Sequence, residues 1–115
     1  MRFEDFVNRV NEDVKKEEPL ELGIKHDQDK LDWLQMPWCQ LEKVIRCTNH
    51  GGRKYSPFNW MHVEKDRYLK ATIRHLVAHL KGEKYDDESG EEHLAHMVAS
   101  ALFYMWHEEN DERVD

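Results

Sequence analysis

The sequence has few of the residues that interrupt or cross-link a chain. Its 115 residues include only three Pro and five Gly, which favours a few long helices over many short strands. The two Cys, Cys39 and Cys47, lie in one predicted helix, where their separation of about 12 Å is too long for a disulfide. Both are therefore predicted to be free thiols.

Long apolar runs are also absent. No segment approaches the roughly 20 apolar residues that span a bilayer, and the first residues, MRFEDFVNRV, contain neither an apolar core nor a signal cleavage site. Hydrophobic residues make up 39% of the chain and charged residues 36%, which excludes both a disordered chain and a membrane protein. These features predict a cytoplasmic protein with no membrane partner.

Apolar residues recur at helical spacing in four segments. They predict helices over about 2–16, 37–52, 62–81 and 91–109, with Pro19 ending the first helix and Gly51-Gly52 ending the second. The stripes predicted to form the core are Leu69, Ile73, Leu76, Val77 and Leu80 in the third helix, and Leu94, Met97, Val98, Ala101, Leu102 and Met105 in the fourth. The prediction is an all-α domain over residues 1–115, a bundle of about four helices with one long irregular loop and an acidic tail at 108–115.

The net charge of −7 is unevenly distributed. It is −3 over residues 1–22, +5 over 23–82 and −9 over 83–115. An acidic protein with a basic middle is a poor general binder of nucleic acids, but the middle can hold a small anion such as a phosphate group. The alternative is that the acidic ends pair with the basic middle.

Candidate phosphate-binding residues lie in this basic middle. They are Lys25, Lys30, Arg53, Lys54 and Arg74. Gly51-Gly52 would let backbone N–H groups approach a ligand, although no Walker motif is present, and Tyr55, Phe58 and Trp60 could stack on a base. The spacing equally fits a helix cap followed by a packed aromatic loop.

Histidines mark one side of each of the last two helices. His75 and His79 share a face of the third helix, whereas His93, His96, Ser100 and His107 lie roughly opposite the Leu/Met stripe of the fourth. This second face predicts a pocket or a subunit contact. Histidines three or four residues apart can share a metal ion, with Asp86 and Glu88 supplying oxygen ligands. The alternative is that these histidines bond to neighbouring groups in a partly buried interface.

Several spaced motifs together resemble a known family. They are Lys25-x-Asp27-x-x-Lys30, Lys54-Tyr55, Asn59-Trp60, Arg74-His75, Gly82-Glu83, Asp86-x-Glu88-Ser89-Gly90 and His93-x-x-His96. Residues 23–104 resemble a small domain widespread in phage genomes, the N-terminal domain of dATP/dGTP diphosphohydrolases. The resemblance implies a phage origin, a helical fold, a host-cell cytoplasmic location and a link to deoxynucleotide metabolism. Asp29 and Ser100 depart from the Gly and Asn that are common in the family.

The leading hypothesis is a protein that binds a purine (deoxy)nucleotide and hydrolyses its phosphate chain as a metal-dependent diphosphohydrolase. The predicted Mg²⁺ or Mn²⁺ ligands are Asp86, Glu88, His93 and His96, and the predicted catalytic residues are Glu88, His93 and His96. The predicted substrate-binding residues are Lys25, Asp27, Lys30, Arg53, Lys54, Tyr55, Asn59, Trp60, Arg74 and His75.

Two alternatives belong to other classes of function. One is a non-catalytic anti-defence protein that sequesters the signal nucleotides of host immunity. The other is an acidic protein that binds and inhibits a host protein through its C-terminal segment. A homo-oligomer is predicted in all three cases, because the domain is small and the second face of the last helix needs cover.

Overall fold

The computed structural model of the protein describes residues 2–16 and 22–110. Within them the chain forms four α-helices, α1 (Phe3–Lys16), α2 (Trp38–Lys54), α3 (Lys65–Leu80) and α4 (His93–Asn110), and a short 3-10 helix (Asn59–His62). The described residues contain no strand, only one isolated antiparallel bridge between Tyr85 and Glu92. The predicted all-α class is confirmed. The predicted helix end at Pro19 and the tail beyond residue 110 lie outside the described residues.

The chain divides into two compact units, Met1–Cys39 and Gln40–Asp115. The first contains α1 and an irregular segment, 22–37, in which every residue is exposed. The second contains nearly all of α2, together with the 3-10 helix, α3 and α4. No helix of the described residues has both the length and the apolarity to cross a bilayer. The single domain over 1–115 stays a prediction.

Helix α2 does not end at Gly51-Gly52, so that prediction is wrong. It continues to Lys54, and the Tyr55 N–H still donates to the Gly51 carbonyl over 3.1 Å. Glycine costs a helix about 1 kcal/mol per residue, which the surrounding helix tolerates. The end instead comes just before Pro57, whose ring disfavours helical conformation at the preceding residue. Because both glycines lie inside the helix, their N–H groups are not presented to a ligand as predicted.

The core of the second unit lies between α2 and α4. It consists of Val44 and Cys47 on α2 and Ala95 and Ala99 on α4, with Leu41 packed against them. Side chains of α2 meet the two alanines of α4 in this cluster, and α3 packs against α4 over a larger contact. One side of α4 is therefore buried, and the buried polar residues of this helix, His93, Ser100 and His107, are each at most 9% exposed.

The predicted core stripes are largely exposed, which corrects the sequence-based prediction. On α3, Leu69 is 40% exposed, Ile73 54% and Leu80 74%. We call the exposed set the aliphatic face: Leu69, Ile73, Leu76, Val77 and Leu80 of α3 with Val98, Leu102 and Met105 of α4. Periodicity identifies residues that share a face, but it does not say which face turns inward.

Ion pairs join the basic middle of the chain to its acidic C-terminal part. They are Lys43–Glu92 (2.5 Å), Arg46–Glu91 (2.9 Å), Lys54–Glu88 and Lys65–Glu108 (3.1 Å). The first two fix α2 against the start of α4. Exposed pairs contribute at most about 1 kcal/mol each, so they position elements more than they stabilise the fold. The alternative in which acidic and basic parts of the chain pair is thus confirmed for these residues.

Candidate functional site

A cavity of about 820 Å³ opens in the second unit between α2, the 3-10 helix, α3 and α4. Its volume lies within the range of small-molecule sites. Ten of the predicted site residues line it: Lys54, Tyr55, Asn59, Trp60, Arg74, His75, Asp86, Glu88, His93 and His96. Arg53 is not among the lining residues. Lys25, Asp27 and Lys30 are exposed and belong to the first unit.

One wall of the cavity is basic. Arg67, Lys70 and Arg74 are spaced at three and four residues along α3, so they project from one side of the helix into the cavity lining. None of the three makes an ion pair with the described residues, whereas Lys54, at the end of α2, is paired with Glu88. Arg67 and Lys70 are not among the residues predicted from the sequence to bind substrate, although they lie at helical spacing from Arg74. This wall suits an anionic ligand.

The loop between α3 and α4 places Asp86 beside the first turn of α4. It folds back on itself through two backbone bonds, from the Asp86 N–H to the Glu91 carbonyl (2.8 Å) and from the His93 N–H to the Lys84 carbonyl (2.9 Å). Gly90 makes the turn between them at a φ of 76°, a conformation that glycine adopts without strain. A local turn therefore brings a carboxylate to the histidine-bearing side of α4.

Ser89 orients the Asp86 carboxylate. Its backbone N–H and its hydroxyl both donate to Asp86 Oδ2 over 2.9 Å. The hydroxyl proton is used in this bond, so His96 Nε2, 2.6 Å from Ser89 Oγ, carries the proton that it donates to that oxygen. Burial raises the pKa of the Asp86 carboxyl, but the two bonds from Ser89 together with the neighbouring His96 and His75 outweigh it and hold the pKa below its ordinary value.

Three imidazole rings meet the loop at this point. The Nδ1 atoms of His75 and His93 lie 2.8 Å apart, and the rings of His75 and His96 stack with centroids 4.8 Å apart. Burial, reinforced by the neighbouring His96 and His93, lowers the pKa of His75 to about 4. Burial also lowers the pKa of His96. His75 and His96 are therefore neutral at pH 7, the state in which imidazole binds metal ions.

One set of side chains is arranged to hold a metal ion. His75, Asp86 and His93 each offer a ligand atom, and these atoms lie within 4.8 Å of one another. The structure thus brings two of the four predicted ligands, Asp86 and His93, together with His75, which was predicted to bind substrate. Of the other two predicted ligands, Glu88 pairs with Lys54 and His96 bonds to Ser89.

Aromatic side chains form another wall of the cavity. Trp60 stacks on Phe103 with ring centroids 4.8 Å apart and planes 11° apart, and its backbone carbonyl lies 2.8 Å from His107 Nε2. One face of the Trp60 ring is therefore already covered. Tyr55, at 65% exposure, is the most exposed of the Trp, Tyr and Phe rings in the lining, and Lys54 Nζ lies over one face of its ring, 5.1 Å from the centroid.

Cys47 also lines the cavity but is not a nucleophile there. Burial raises its pKa to about 12, so the thiol stays protonated at neutral pH and the thiolate needed for attack is scarce. Cys39 and Cys47 are both free, as predicted. The chemistry of the cavity therefore rests on its imidazoles, its carboxylates and its cations.

Comparison with known proteins gives two matches. Residues 21–115 match the model of the family described as dATP/dGTP diphosphohydrolase, N-terminal. A protein of Salmonella phage PMBT28 named dATP/dGTP diphosphohydrolase is 34% identical over 84 residues, which cover 73% of this chain and 29% of that protein. The chain thus spans less than a third of the length of this relative. No solved structure matches the chain significantly.

Proposed function

Since the chain belongs to the family of dATP/dGTP diphosphohydrolase N-terminal domains, we propose that its cavity binds a purine deoxynucleoside triphosphate and that it hydrolyses the phosphate chain. The observation that carries this proposal is the unpaired basic wall of α3 in a cavity that also contains the His–Asp cluster. Arg67, Lys70 and Arg74 bind the phosphate oxygens and neutralise the charge that develops on them.

The reaction is attack of water on the α-phosphorus. A new P–O bond forms to the water oxygen while the bond to the bridging oxygen breaks, which yields a nucleoside monophosphate and pyrophosphate. A divalent ion, for which His75, Asp86 and His93 are suitable ligands, would polarise the phosphate oxygens. The proton of the water passes to His96 Nδ1, because Nε2 of that ring is committed to Ser89. Glu88 is held by Lys54 and contributes to the rim of the cavity.

The aromatic wall supplies the base site in this proposal. Phe103 already covers one face of Trp60, and Lys54 Nζ lies over one face of Tyr55, so the opposite face of the exposed Tyr55 ring offers the stacking surface. Asn59 lies in the same part of the lining, and its side-chain amide can both donate to and accept from the edge of a purine.

Product analysis tests the proposal. Each of the four dNTPs is incubated with the purified chain and Mn²⁺ or Mg²⁺, and the products are separated by anion-exchange chromatography. We expect dAMP or dGMP together with pyrophosphate. Arg74→Gln should lower the rate at least tenfold. Arg53→Gln, which removes a cation of α2 outside the lining, should leave the rate within twofold of the wild type.

A non-catalytic nucleotide binder is the second candidate, because binding of phosphates by cations and of a base by an aromatic ring needs neither an activated water nor a general base. The same basic wall and aromatic wall would then sequester an intact nucleotide. Recovery of uncleaved ligand after denaturation of a tight complex would favour this candidate. If no nucleotide were bound or cleaved, both would fail. Binding of a host protein through the acidic segment is less favoured, because Glu88, Glu91, Glu92 and Glu108 pair with cations of this chain.

Self-association is also proposed, through the aliphatic face and with a second copy as the occupant. Its eight side chains expose the equivalent of about four complete aliphatic residues. That is on the order of 700 Å², close to the roughly 800 Å² that each partner contributes to an interface of standard size. The face contains only aliphatic side chains and Met, as in the apolar cores of homodimer interfaces, and pairing two α3–α4 layers would form a four-helix arrangement.

Light scattering coupled to gel filtration tests this surface. We expect a mass that is a multiple of the 13.9 kDa chain. Ile73→Lys, in the aliphatic face, should reduce it to one chain, whereas Ile45→Lys, which charges an equally exposed position on α2, should not. The proposed interface would be refuted if the wild type were a monomer or if the Ile73→Lys variant remained assembled.

A further inference from the structure

The two facing nitrogens of His75 and His93 lie close to the separation that one metal ion requires. Their Nδ1 atoms are 2.8 Å apart. Two imidazole nitrogens bound to the same ion at about 2.1 Å would lie about 3.0–3.4 Å apart, so a shift of a few tenths of an ångström admits the ion. Without an ion, one of the nitrogens must carry a proton and donate it to the other. The ion would take the place of that proton.

The carboxylate is held so that one oxygen remains for a ligand. Within the described residues, the contacts of Asp86 with Ser89 and His96 all fall on Oδ2, which leaves Oδ1 for an ion. On the far side of the His93 ring, Glu83 Oε2 lies 3.9 Å from Nε2. At 3.9 Å this contact is not a hydrogen bond, so Glu83 would have to move closer to give the carboxylate support that is usual behind a ligating imidazole.

The ligand chemistry distinguishes between classes of divalent ions. Mg²⁺ prefers oxygen ligands and retains much of its water, whereas imidazole suits later transition-metal ions such as Fe²⁺, Co²⁺, Ni²⁺ and Zn²⁺. We propose that His75, Asp86 and His93 form a two-histidine, one-carboxylate site that selects a transition-metal ion over Mg²⁺. Three protein ligands leave coordination positions open for phosphate oxygens. The role of the ion in catalysis rests on the proposed function, but its binding does not.

Metal titration without nucleotide tests the site. The full chain is stripped with EDTA, dialysed and titrated separately with Zn²⁺, Co²⁺, Mn²⁺ and Mg²⁺ in a calorimeter. Visible absorption of the Co²⁺ form reports nitrogen ligation. We expect one ion per chain, with Zn²⁺ and Co²⁺ binding at least 100-fold more tightly than Mg²⁺. Absence of binding, or Mg²⁺ affinity equal to that of Co²⁺, would overturn the proposal.

Variants identify the ligands. His75→Gln and Asp86→Asn should each weaken Co²⁺ binding at least tenfold and change the Co²⁺ spectrum. The matched control is His79→Gln, one turn further along α3 and outside the cavity lining, and it should bind Co²⁺ as the wild type does. Far-UV circular dichroism verifies that each variant is folded. If His75→Gln is unfolded, Asp86→Asn alone tests the assignment of the ligands. Unchanged Co²⁺ binding in both folded variants would refute the assignment.

Nucleotide binding in EDTA separates this inference from the proposed function. Binding of dGTP is measured calorimetrically on the metal-free chain. If dGTP binds while Co²⁺ does not, the metal inference fails and the nucleotide cavity stands. If Co²⁺ binds and dGTP does not, in EDTA or with the ion restored, the metal site stands and the proposed substrate fails.

Discussion

Acidification from pH 7 to pH 5 should destabilise the metal-free protein, and His75 should account for much of the loss. The folded state holds the pKa of His75 at about 4, whereas an unfolded chain returns it to about 6.5. As the pH falls below the pKa of the unfolded state, His75 binds a proton in the unfolded state but stays unprotonated in the folded state. Stability is therefore greatest above about pH 6.5 and declines as the pH falls toward 4.

The size of the effect follows from these two pKa values. If both pKa values apply in full, the free energy of unfolding falls by about 2 kcal/mol between pH 7 and pH 5. His75 is only partly enclosed, so solvent screening reduces the expected loss to about 1 kcal/mol. His96 acts in the same direction, because burial also lowers its pKa. The pKa of Asp86 is depressed, so its stabilising contribution is lost only near and below pH 4.

Urea unfolding at several pH values measures this directly. The EDTA-treated chain is unfolded at pH 7, 6 and 5, and the free energy of unfolding is compared with that of His75→Gln. Gln cannot titrate, so the variant should lose about 1 kcal/mol less than the wild type over this range. His62→Gln, which removes an exposed histidine, should decline in parallel with the wild type. If His75→Gln also declined in parallel, the account of His75 would be refuted.

Three further predictions concern backbone, thiols and assembly. Gly51→Ala should stabilise the protein by about 0.5–1 kcal/mol in urea unfolding, because Gly51 is helical and its added Cβ meets nothing within 4 Å. Gly90→Ala should destabilise the protein in the same assay, because the φ of Gly90 is 76°, a conformation that alanine adopts only with strain. A native thiol assay should modify half-buried Cys39 at least tenfold faster than buried Cys47, and equal rates would contradict the burial of Cys47. His96→Glu should leave the solution mass unchanged, since His96 lines the cavity, and dissociation would instead favour a subunit contact at this face.

The sequence predicted the helices more accurately than it predicted their orientation. Apolar spacing located α3 and α4 because each helix has one aliphatic stripe. The inward side of α4, however, carries Ala95 and Ala99, which are buried against Val44 and Cys47 of α2. Hydrophobic patterning gives alanines little weight, so the larger Leu and Met stripe was assigned to the core. Which face of α4 is buried depends on how helices from distant parts of the sequence pack together. The residue pattern of a single helix does not carry that information.

The sequence predicted many of the residues that line the cavity, but it did not predict which of them contact one another. Asp86 and Ser89 lie three residues apart, a spacing at which Asp commonly accepts bonds from a local turn. The contact between His75 and His93 depends on the register of α3 against α4 and on the loop that joins them. That register is a tertiary property, so the sequence analysis could not place His75 beside His93, and His75 was grouped with the substrate-binding residues. Glu88, predicted as a metal ligand, pairs with Lys54.

An acidic protein can hold an acidic ligand when the charges near the cavity differ from the net charge. At physiological ionic strength, charges more than about 8 Å apart are largely screened, so the net charge of −7 has little influence inside the site. Glu91 and Glu92, which directly precede His93 of the cluster, are paired with Arg46 and Lys43. Arg67, Lys70 and Arg74 have no such partners within the described chain. Local neutralisation of the acids therefore leaves a positive wall where the proposed phosphate chain would bind, and this wall, rather than the net charge, should govern affinity.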